Sequence, residues 1–135
     1  MKIASFSIGK LAKIAGVSTV TLRYYEKIGL LKAGRSSNGY RCFAEDALQT
    51  IEFVKNAKTA GFSLTEIIYL HSLQVNIQAD SSHVKSVIHK KILEIKEKIK
   101  ALHEISDVLN HLDTLCDGKV KAKNCPILKT LSSNK

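Results

Sequence analysis

The sequence predicts a mainly α-helical fold with one small β-hairpin near its amino end. Two short amphipathic segments flank Gly16, the turn-forming pair Asn38-Gly39 follows them, and residues 81–115 contain neither glycine nor proline. The 135 residues suffice for one compact domain and an appendage. A composition of 44% hydrophobic and 24% charged residues is typical of a chain that folds.

Positive charge is concentrated at the two ends of the chain. The formal charge is +9, and residues 1–61 carry +6, residues 62–115 carry −1 and residues 116–135 carry +4. Charge of this sign attracts DNA, RNA and anionic membrane surfaces alike. A surface of lysines that serves solubility is the alternative interpretation.

The same composition excludes several classes of protein. No uninterrupted apolar run exceeds four residues, so a transmembrane helix is excluded and no membrane partner is expected. Residues 1–5 lack the apolar stretch of a signal peptide, which predicts a cytoplasmic location. Three cysteines cannot form a closed set of disulfides, so free thiols or metal ligands are expected.

Two serines are placed to begin short helices. Ser7 precedes apolar residues at helical spacing, Gly16 ends that helix, and Ser18 can cap a second helix over residues 19–28. A short helix, a glycine turn and a second helix form a helix-turn-helix pattern, in which the second helix enters a DNA groove. A plain helical hairpin is the alternative. The outward residues of the second helix are Thr19, Val20, Arg23, Tyr24 and Lys27.

A basic hairpin follows the second helix. Asn38-Gly39 predicts a tight turn between two short strands, which together form a wing. The wing carries Arg35, Tyr40 and Arg41, whose cations and hydroxyl suit the phosphate oxygens of a duplex.

The two short helices, the glycine turn between them and the basic hairpin together resemble the winged helix-turn-helix of the MerR family of bacterial transcription regulators. The segments that carry the resemblance are residues 7–12, 17–18, 21–31, 35–41, 61–67 and 125–127. The resemblance implies a homodimer that binds a palindromic double-stranded promoter and distorts it, on sensing an effector, so that RNA polymerase can use it. It also implies DNA contacts by Arg23, Tyr25, Arg35, Tyr40 and Arg41. Val20 stands where relatives often have a polar residue. The base that this position contacts is therefore left open, and contact with a thymine methyl group is one option.

Two scaffold helices are predicted between the wing and residue 73. Ser63 and Glu66 have the spacing of a capping box at the start of the second of them. Lys55 and Lys58 are interpreted as a solvated helix face, with contacts to phosphate as the alternative. Polar residues 74–80 are interpreted as a hinge. These features give three regions: a DNA-binding domain at 1–75, a hinge and dimerisation helix at 76–115, and a loop, short helix and tail at 116–135.

The long helix carries a coiled-coil pattern. Ile88, Ile92, Ile95, Ile99 and Leu102 follow a 4-3-4-3 spacing, after which Ile105 begins a run displaced by one residue, as in a stammer. So small a domain cannot cover such a stripe, so a partner helix is expected, with packing against residues 44–73 as the alternative. The resemblance implies that two copies pair antiparallel.

Two cysteines flank a loop at the end of the chain. Cys116 follows the long helix, and Cys125 precedes Pro126, the predicted first residue of a short helix. Amide donors at that helix start lower a thiol pKa and favour thiolate, the form that binds metal. Three loop lysines are expected to act in the same direction: Lys119, Lys121 and Lys123. Cys42, inside the wing, is interpreted as a small packing residue, and residues 132–135 as a frayed tail.

The resemblance also bears on the metal. Relatives that sense zinc, cadmium, lead or mercury have another cysteine at the start of the long helix, which reaches the loop of the partner subunit. The matching residue in this chain is Ser81, and a serine is what the copper-efflux subgroup shows. Two soft thiolates, Cys116 and Cys125, suit copper(I), silver or gold(I), whereas zinc prefers about four ligands. The loop length fits mercury-type relatives equally, and His83 could give a divalent ion a third ligand.

The function predicted from the sequence is therefore a metal-responsive activator of metal-efflux or detoxification genes, with copper(I) as the expected ion. The alternatives are a divalent-metal sensor, including zinc, and a thiol redox sensor that uses Cys116 and Cys125 as a disulfide switch. A DNA-binding protein with a degenerate sensor is a further alternative. An enzyme is not expected, because the sequence has no glycine-rich phosphate loop, no paired carboxylates in a plausible cleft and no cysteine with an adjacent base.

Overall fold

A computed structural model describes residues 5–133, which form two compact units, one up to Val87 and one from Ile88. The predicted mainly helical fold is confirmed, with a small sheet in the first unit. The strands are β1 (Ser5–Phe6), β2 (Gly34–Arg35) and β3 (Arg41–Ala44). The helices are α1 (Ile8–Ala15), α2 (Thr19–Lys27), α3 (Asp46–Thr59), α4 (Leu64–Val75), α5 (Ser81–Thr114) and α6 (Pro126–Leu131). The last two residues of the predicted tail, 134 and 135, and residues 1–4 of the segment used to predict location lie outside the described part.

Serine side chains begin the two helices of the helix-turn-helix, as predicted. Ser7 accepts a hydrogen bond from the Lys10 amide at 3.2 Å, and Ser18 accepts one from the Thr21 amide at 3.0 Å. Gly16 ends α1 with φ +71°, a conformation that L side chains rarely adopt. Local hydrogen bonds therefore determine where α1 and α2 begin and where α1 ends.

The sheet has one strand more than the predicted hairpin. Its order is β1-β3-β2, and β3 pairs antiparallel with both neighbours. Phe6 in β1 faces Phe43 in β3 across the ladder and packs against the core. At the other end of β3, the wing turn closes with a hydrogen bond from the Gly39 amide to the Ser36 carbonyl at 2.9 Å. The two residues of β1 are too few for an alternating pattern, so the sequence analysis missed this strand.

The core of the first unit lies where the helix-turn-helix, the sheet and α3 meet. Phe43, Leu11, Leu22, Ile51 and Ile67 are its largest fully buried side chains. Each comes from a different element, so α1, α2, β3, α3 and α4 are all anchored to one apolar centre. This shared core holds α2 and the wing in one rigid unit.

Two lysines of α3 are exposed, as predicted, and are also bonded to the helix-turn-helix. Lys55 donates to the carbonyl of Ala15 at the end of α1, where a cation complements the free carbonyls. Lys58 donates to the Tyr25 hydroxyl at 3.0 Å and lies 5.5 Å from the centre of that ring. Both side chains therefore hold α3 against α1 and α2.

The capping box at the start of α4 is present as predicted. Ser63 accepts from the Glu66 amide, and the Glu66 carboxylate accepts from the Ser63 amide at 2.8 Å. The helix ends at Val75. A turn follows, in which the Asn76 side chain accepts from the Gln78 amide at 3.0 Å, before α5 begins at Ser81.

The long helix α5 has 34 residues, a length of about 51 Å at 1.5 Å per residue. The predicted stripe is exposed along most of the helix, at Ile92, Ile95, Ile99, Leu102 and Ile105. None of the helices within residues 5–133 is both long and apolar enough to span a membrane.

Candidate nucleic-acid interface and cysteine loop

The outward face of α2 carries large exposed side chains. Val20 is 74% exposed and Tyr24 is 49% exposed, and Arg23 and Lys27 are also exposed. These residues recur at helical spacing on the side opposite the buried Leu22. The remaining predicted contact on this helix, Thr19, is partly buried at its first turn.

Tyr25 lies in the core and not on this face. Its side chain is only 4% exposed, and its hydroxyl accepts the hydrogen bond from Lys58. The prediction that Tyr25 contacts DNA is therefore corrected, because a ring in this position has no surface to offer. Neighbouring residues of a helix differ in direction by about 100°, so Tyr24 projects outward while Tyr25 packs inward.

Both wing arginines are held by contacts within the first unit. Arg35 donates to the Gly39 carbonyl at 3.2 Å across the wing turn. Arg41 forms an ion pair with Glu26 in the last turn of α2. Tyr40, between them, is exposed. Because a guanidinium has five N–H donors, each arginine keeps donors for another acceptor.

In the second unit, short-range turns order the segment between Cys116 and Cys125. The Gly118 amide donates to the Cys116 sulfur at 3.4 Å, and Gly118 has φ +79°. A 3-10 turn at Ala122–Asn124 follows, and the Cys125 amide donates to the Ala122 carbonyl at 3.0 Å. Cys125 then occupies the position immediately before α6, as predicted.

The surroundings of Cys125 lower the pKa of its thiol below the ordinary value. The backbone amide of Leu128 is the largest cause, and the amide of Ile127 and the Cys116 side chain act in the same direction against the effect of burial. The predicted influence of the loop lysines is not among the causes. The start of α6 and the second cysteine therefore favour the thiolate form of Cys125.

The Cys116 side chain is one of the groups that lower the pKa of the Cys125 thiol, so the two cysteines interact. Within residues 5–133 no group of three or more His, Cys, Asp or Glu side chains is placed to hold a metal ion together. Ser81 and His83 lie in the exposed first turn of α5. Cys42 is half-buried in β3 opposite Gly34. A pair of sulfur donors is thus what the loop offers to a soft ion.

The sequence analysis did not predict the contacts that support the DNA-binding face of the first unit. They are made by Glu26, Lys55 and Lys58. The spacing between Glu26 and Arg41 is 15 residues, and Lys58 lies 33 residues from Tyr25. No periodic pattern links positions so far apart, so the sequence contains no local signal for these pairs.

Two family models match the chain. A model described as "MerR family regulatory protein" matches residues 7–43, and one described as "MerR, DNA binding" matches residues 48–112. The first covers α1, α2 and the wing, and the second covers α3, α4 and most of α5. Together they span more than half of the chain.

Similar proteins include metal-dependent regulators. Heavy metal-dependent transcription regulator 1 of Rhizobium meliloti is 35% identical over 129 residues, which are 94% of this chain and 87% of that protein. The lead(II) complex of the transcription regulator PbrR691 from Ralstonia metallidurans CH34 has a TM-score of 0.86 at 29% identity, covering 94% of this chain and 99% of that one. HiNmlR, a MerR family regulator lacking the sensor domain and bound to promoter DNA, has a TM-score of 0.54 at 29% identity, covering 80% and 86%.

Proposed function

The chain belongs to the MerR family of regulatory proteins, and from this premise we propose that it is a metal-responsive transcription activator whose signal is a monovalent thiophilic ion. Its relatives are transcription regulators, and heavy-metal dependence is stated for several of them. In this proposal the protein is a cytoplasmic homodimer that binds double-stranded promoter DNA and acts on RNA polymerase to control metal-efflux or detoxification genes.

DNA binding is assigned to α2 and the wing. The exposed Val20, Arg23 and Tyr24 support the placement of α2 in the major groove. Thr19 lies at the start of the same helix, where an inserted helix comes nearest to the DNA. Arg35, Tyr40 and Arg41 extend the surface to the wing, where they would contact phosphates.

Dimerisation is assigned to α5. Its exposed apolar stripe is the kind of surface that a second helix covers in a coiled coil. A two-fold dimer of this kind, with its long helices antiparallel, would present two DNA-binding units to the two halves of a palindromic promoter.

The single observation that carries the metal assignment is the pairing of Cys116 with Cys125. Cys125 has a lowered thiol pKa to which the Cys116 side chain contributes, and the described residues supply no third His, Cys, Asp or Glu ligand to the pair. Two thiolates suffice for copper(I), silver or gold(I), whereas divalent zinc would need further ligands. Ser81 is the proposed selectivity position for the loop of the partner subunit, which the start of α5 would reach in an antiparallel dimer, because an oxygen there replaces a soft sulfur ligand.

Cys116 and Cys125 would hold the ion through their thiolates. The chain would contribute two anchored ends to this site, because Cys116 follows α5 and Cys125 immediately precedes α6. We expect the ordered loop to change the geometry at which the dimer holds its two DNA-binding units. The effect would then be a change in DNA twist and bend rather than in affinity.

The test is an anaerobic titration of the reduced protein with copper(I) and with zinc, each against a competing chelator. We expect tight copper(I) binding that is lost in Cys116→Ser and in Cys125→Ser and kept in Cys42→Ser. Tight zinc binding with weak copper(I) binding would favour the divalent alternative, in which His83 or solvent completes the site. Transcription in vitro with the same variants then links binding to activation.

The selectivity proposal needs a matched pair of serines. Ser81→Cys should raise zinc affinity at least ten-fold, which corresponds to about 1.4 kcal/mol, because it restores a sulfur ligand. Ser82→Cys adds the same atom one position along α5 and should leave zinc affinity unchanged. Equal effects from both variants would remove Ser81 from the proposal.

The closeness of the two thiols also favours a second candidate, a redox sensor. A thiol with a lowered pKa beside another thiol can be oxidised to a disulfide. Activation of transcription by diamide in metal-free protein, without a response to copper(I), would support this candidate over the metal sensor.

A further inference from the structure

We infer that Glu26 is a positioning residue for DNA binding, whose carboxylate holds Arg41 of the wing against α2. The inference rests on the proposed function, because α2 and the wing are the two elements assigned to DNA. It gives a role to an acidic side chain on a surface where negative charge by itself would oppose DNA binding.

The geometry of the ion pair leaves the arginine available. The Glu26 side chain is 17% exposed and that of Arg41 is 52% exposed, so the acid is the inner partner. Arg41 donates through Nη2 to Oε1 of Glu26. Its other N–H groups remain at the surface, where the fork of a guanidinium can contact a phosphate at the same time.

The strand register explains why Arg41 needs a partner. Arg35 and Arg41 stand directly opposite each other in the antiparallel pair of β2 and β3, so both side chains leave the same face. Like charges in that arrangement repel. Arg35 is turned to the Gly39 carbonyl and Arg41 to Glu26, so the two contacts separate the two cations.

The second carboxylate oxygen of Glu26 shows that this residue is part of the folded structure. Oε2 is buried and has no hydrogen-bond partner among the described residues. Burial of an unpaired carboxylate oxygen is unfavourable, and the charge-assisted bond through Oε1 offsets that cost. The pair therefore belongs to the folded connection between α2 and the wing and is more than a contact between two solvated side chains.

Net charge alone predicts the opposite effect of removing the Glu26 charge. Neutralising an acidic residue on a DNA-binding protein should tighten binding, because the net positive charge rises. If Glu26 positions Arg41, its neutralisation should instead weaken specific binding, because one phosphate contact loses its fixed direction.

The experiment compares two substitutions with the same change in charge. Glu26→Gln removes the charge at the pair, and Glu52→Gln removes one from an exposed position in α3. The DNA is a duplex that the wild-type protein selects from a random-sequence pool, and affinity is measured by fluorescence anisotropy at several salt concentrations. We expect Glu26→Gln to weaken binding about five-fold and to reduce the salt slope by about one, with Glu52→Gln equal to or tighter than wild type.

A double-substitution cycle tests whether the effect passes through Arg41. Adding Glu26→Gln to Arg41→Ala should cause no further loss, because the residue to be positioned is already gone. Additive losses, or tighter binding by Glu26→Gln, would overturn the inference. A wild-type protein that selects no duplex would overturn the proposed function and the inference with it, whereas selective binding that ignores Glu26 overturns the inference alone.

Arg41→Lys is a second variant for the case in which Glu26→Gln does not fold. Because the Arg41 side chain is exposed, we expect this substitution to leave the fold intact. Lysine keeps the charge and lacks the planar fork, so it cannot hold Glu26 and a phosphate in the same directions. We expect weaker binding in a protein whose thermal unfolding is close to that of wild type. Unchanged affinity and salt slope would contradict the assigned role.

Discussion

Individual side chains show how small differences in direction separate structural from functional roles. Tyr24 and Tyr25 are neighbours with similar chemistry, but only Tyr24 reaches the surface. Tyr25 instead combines a buried ring with a hydroxyl bonded to Lys58, a common arrangement for a tyrosine at the edge of a core.

Substitution of each tyrosine by phenylalanine separates the two roles. Tyr25→Phe should lower the free energy of unfolding by about 1 kcal/mol, because the Lys58 ammonium loses its acceptor, and should leave DNA affinity unchanged. Tyr24→Phe should leave stability unchanged and weaken DNA binding. Thermal unfolding measures the stability of each variant, and fluorescence anisotropy measures its DNA affinity. A loss of DNA affinity in Tyr25→Phe at unchanged stability would show that the Tyr25 hydroxyl contacts DNA.

The thiol of Cys125 allows a test that depends on pH. Because its pKa is lowered, its thiolate is present at pH values where an ordinary thiol is still protonated, so the rate of alkylation should begin to rise at lower pH than for a free cysteine peptide. Reaction of reduced, metal-free protein with iodoacetamide, followed by peptide mass spectrometry, gives the rate at Cys125, and the free peptide in the same solution gives the reference rate. Cys116→Ala should move the Cys125 profile to higher pH, and a Cys125 profile identical to that of the free peptide would show that the amides of α6 have no effect.

Among the elements, the short helices depend most on their ends. The nine residues of α2 form too few internal hydrogen bonds to be stable alone, so the Ser18 cap and the core contacts of Leu22 and Tyr25 hold the helix in place. The cap matters for function because the exposed residues of α2 are those assigned to DNA. The helix α1 has the same kind of cap at Ser7 and carries no assigned DNA contact.

Removal of the two caps should therefore have unequal consequences. Ser18→Ala and Ser7→Ala should each lower the free energy of unfolding by about 1 kcal/mol. The first should also weaken DNA binding several-fold, because the start of α2 frays at the groove, and the second should do so much less. Denaturant unfolding and anisotropy are the measurements, and equal losses of affinity would indicate that both caps act through overall stability.

The molecule as a whole is defined by the contrast between its two units. The first has a shared core that orders five elements, whereas α5 carries its apolar residues in an exposed stripe. Exposed stripes of this length are typical of helices that are completed by a second chain, which is why dimerisation and function are linked in the proposal.

A charge placed in the stripe should separate the two subunits. Ile99→Glu should shift the protein to monomer at micromolar concentration, because each dimer would lose two apolar contacts worth about 1.5–3 kcal/mol each and gain two buried charges. Lys100→Glu, at the neighbouring position off the stripe, should remain dimeric. Sedimentation equilibrium distinguishes the two results, and a dimeric Ile99→Glu protein would place the interface elsewhere.

The sequence by itself determined the order of the six α-helices and most of their boundaries. Serine caps, the glycine after α1 and the capping box of α4 act through hydrogen bonds or backbone angles within a few residues, so their signals are local. The stripe of α5 and the placement of Cys125 before α6 are local in the same sense.

Only the tertiary structure decided which of two chemically similar side chains is buried and which residues distant in sequence come into contact. It placed Tyr25 in the core, added β1 to the wing and brought Lys55 and Lys58 to the helix-turn-helix. It also joined Glu26 to Arg41 and the thiol of Cys116 to that of Cys125. These pairings depend on how elements pack around a common core or fold back across a loop, and that information is distributed over the whole chain rather than contained in any one segment.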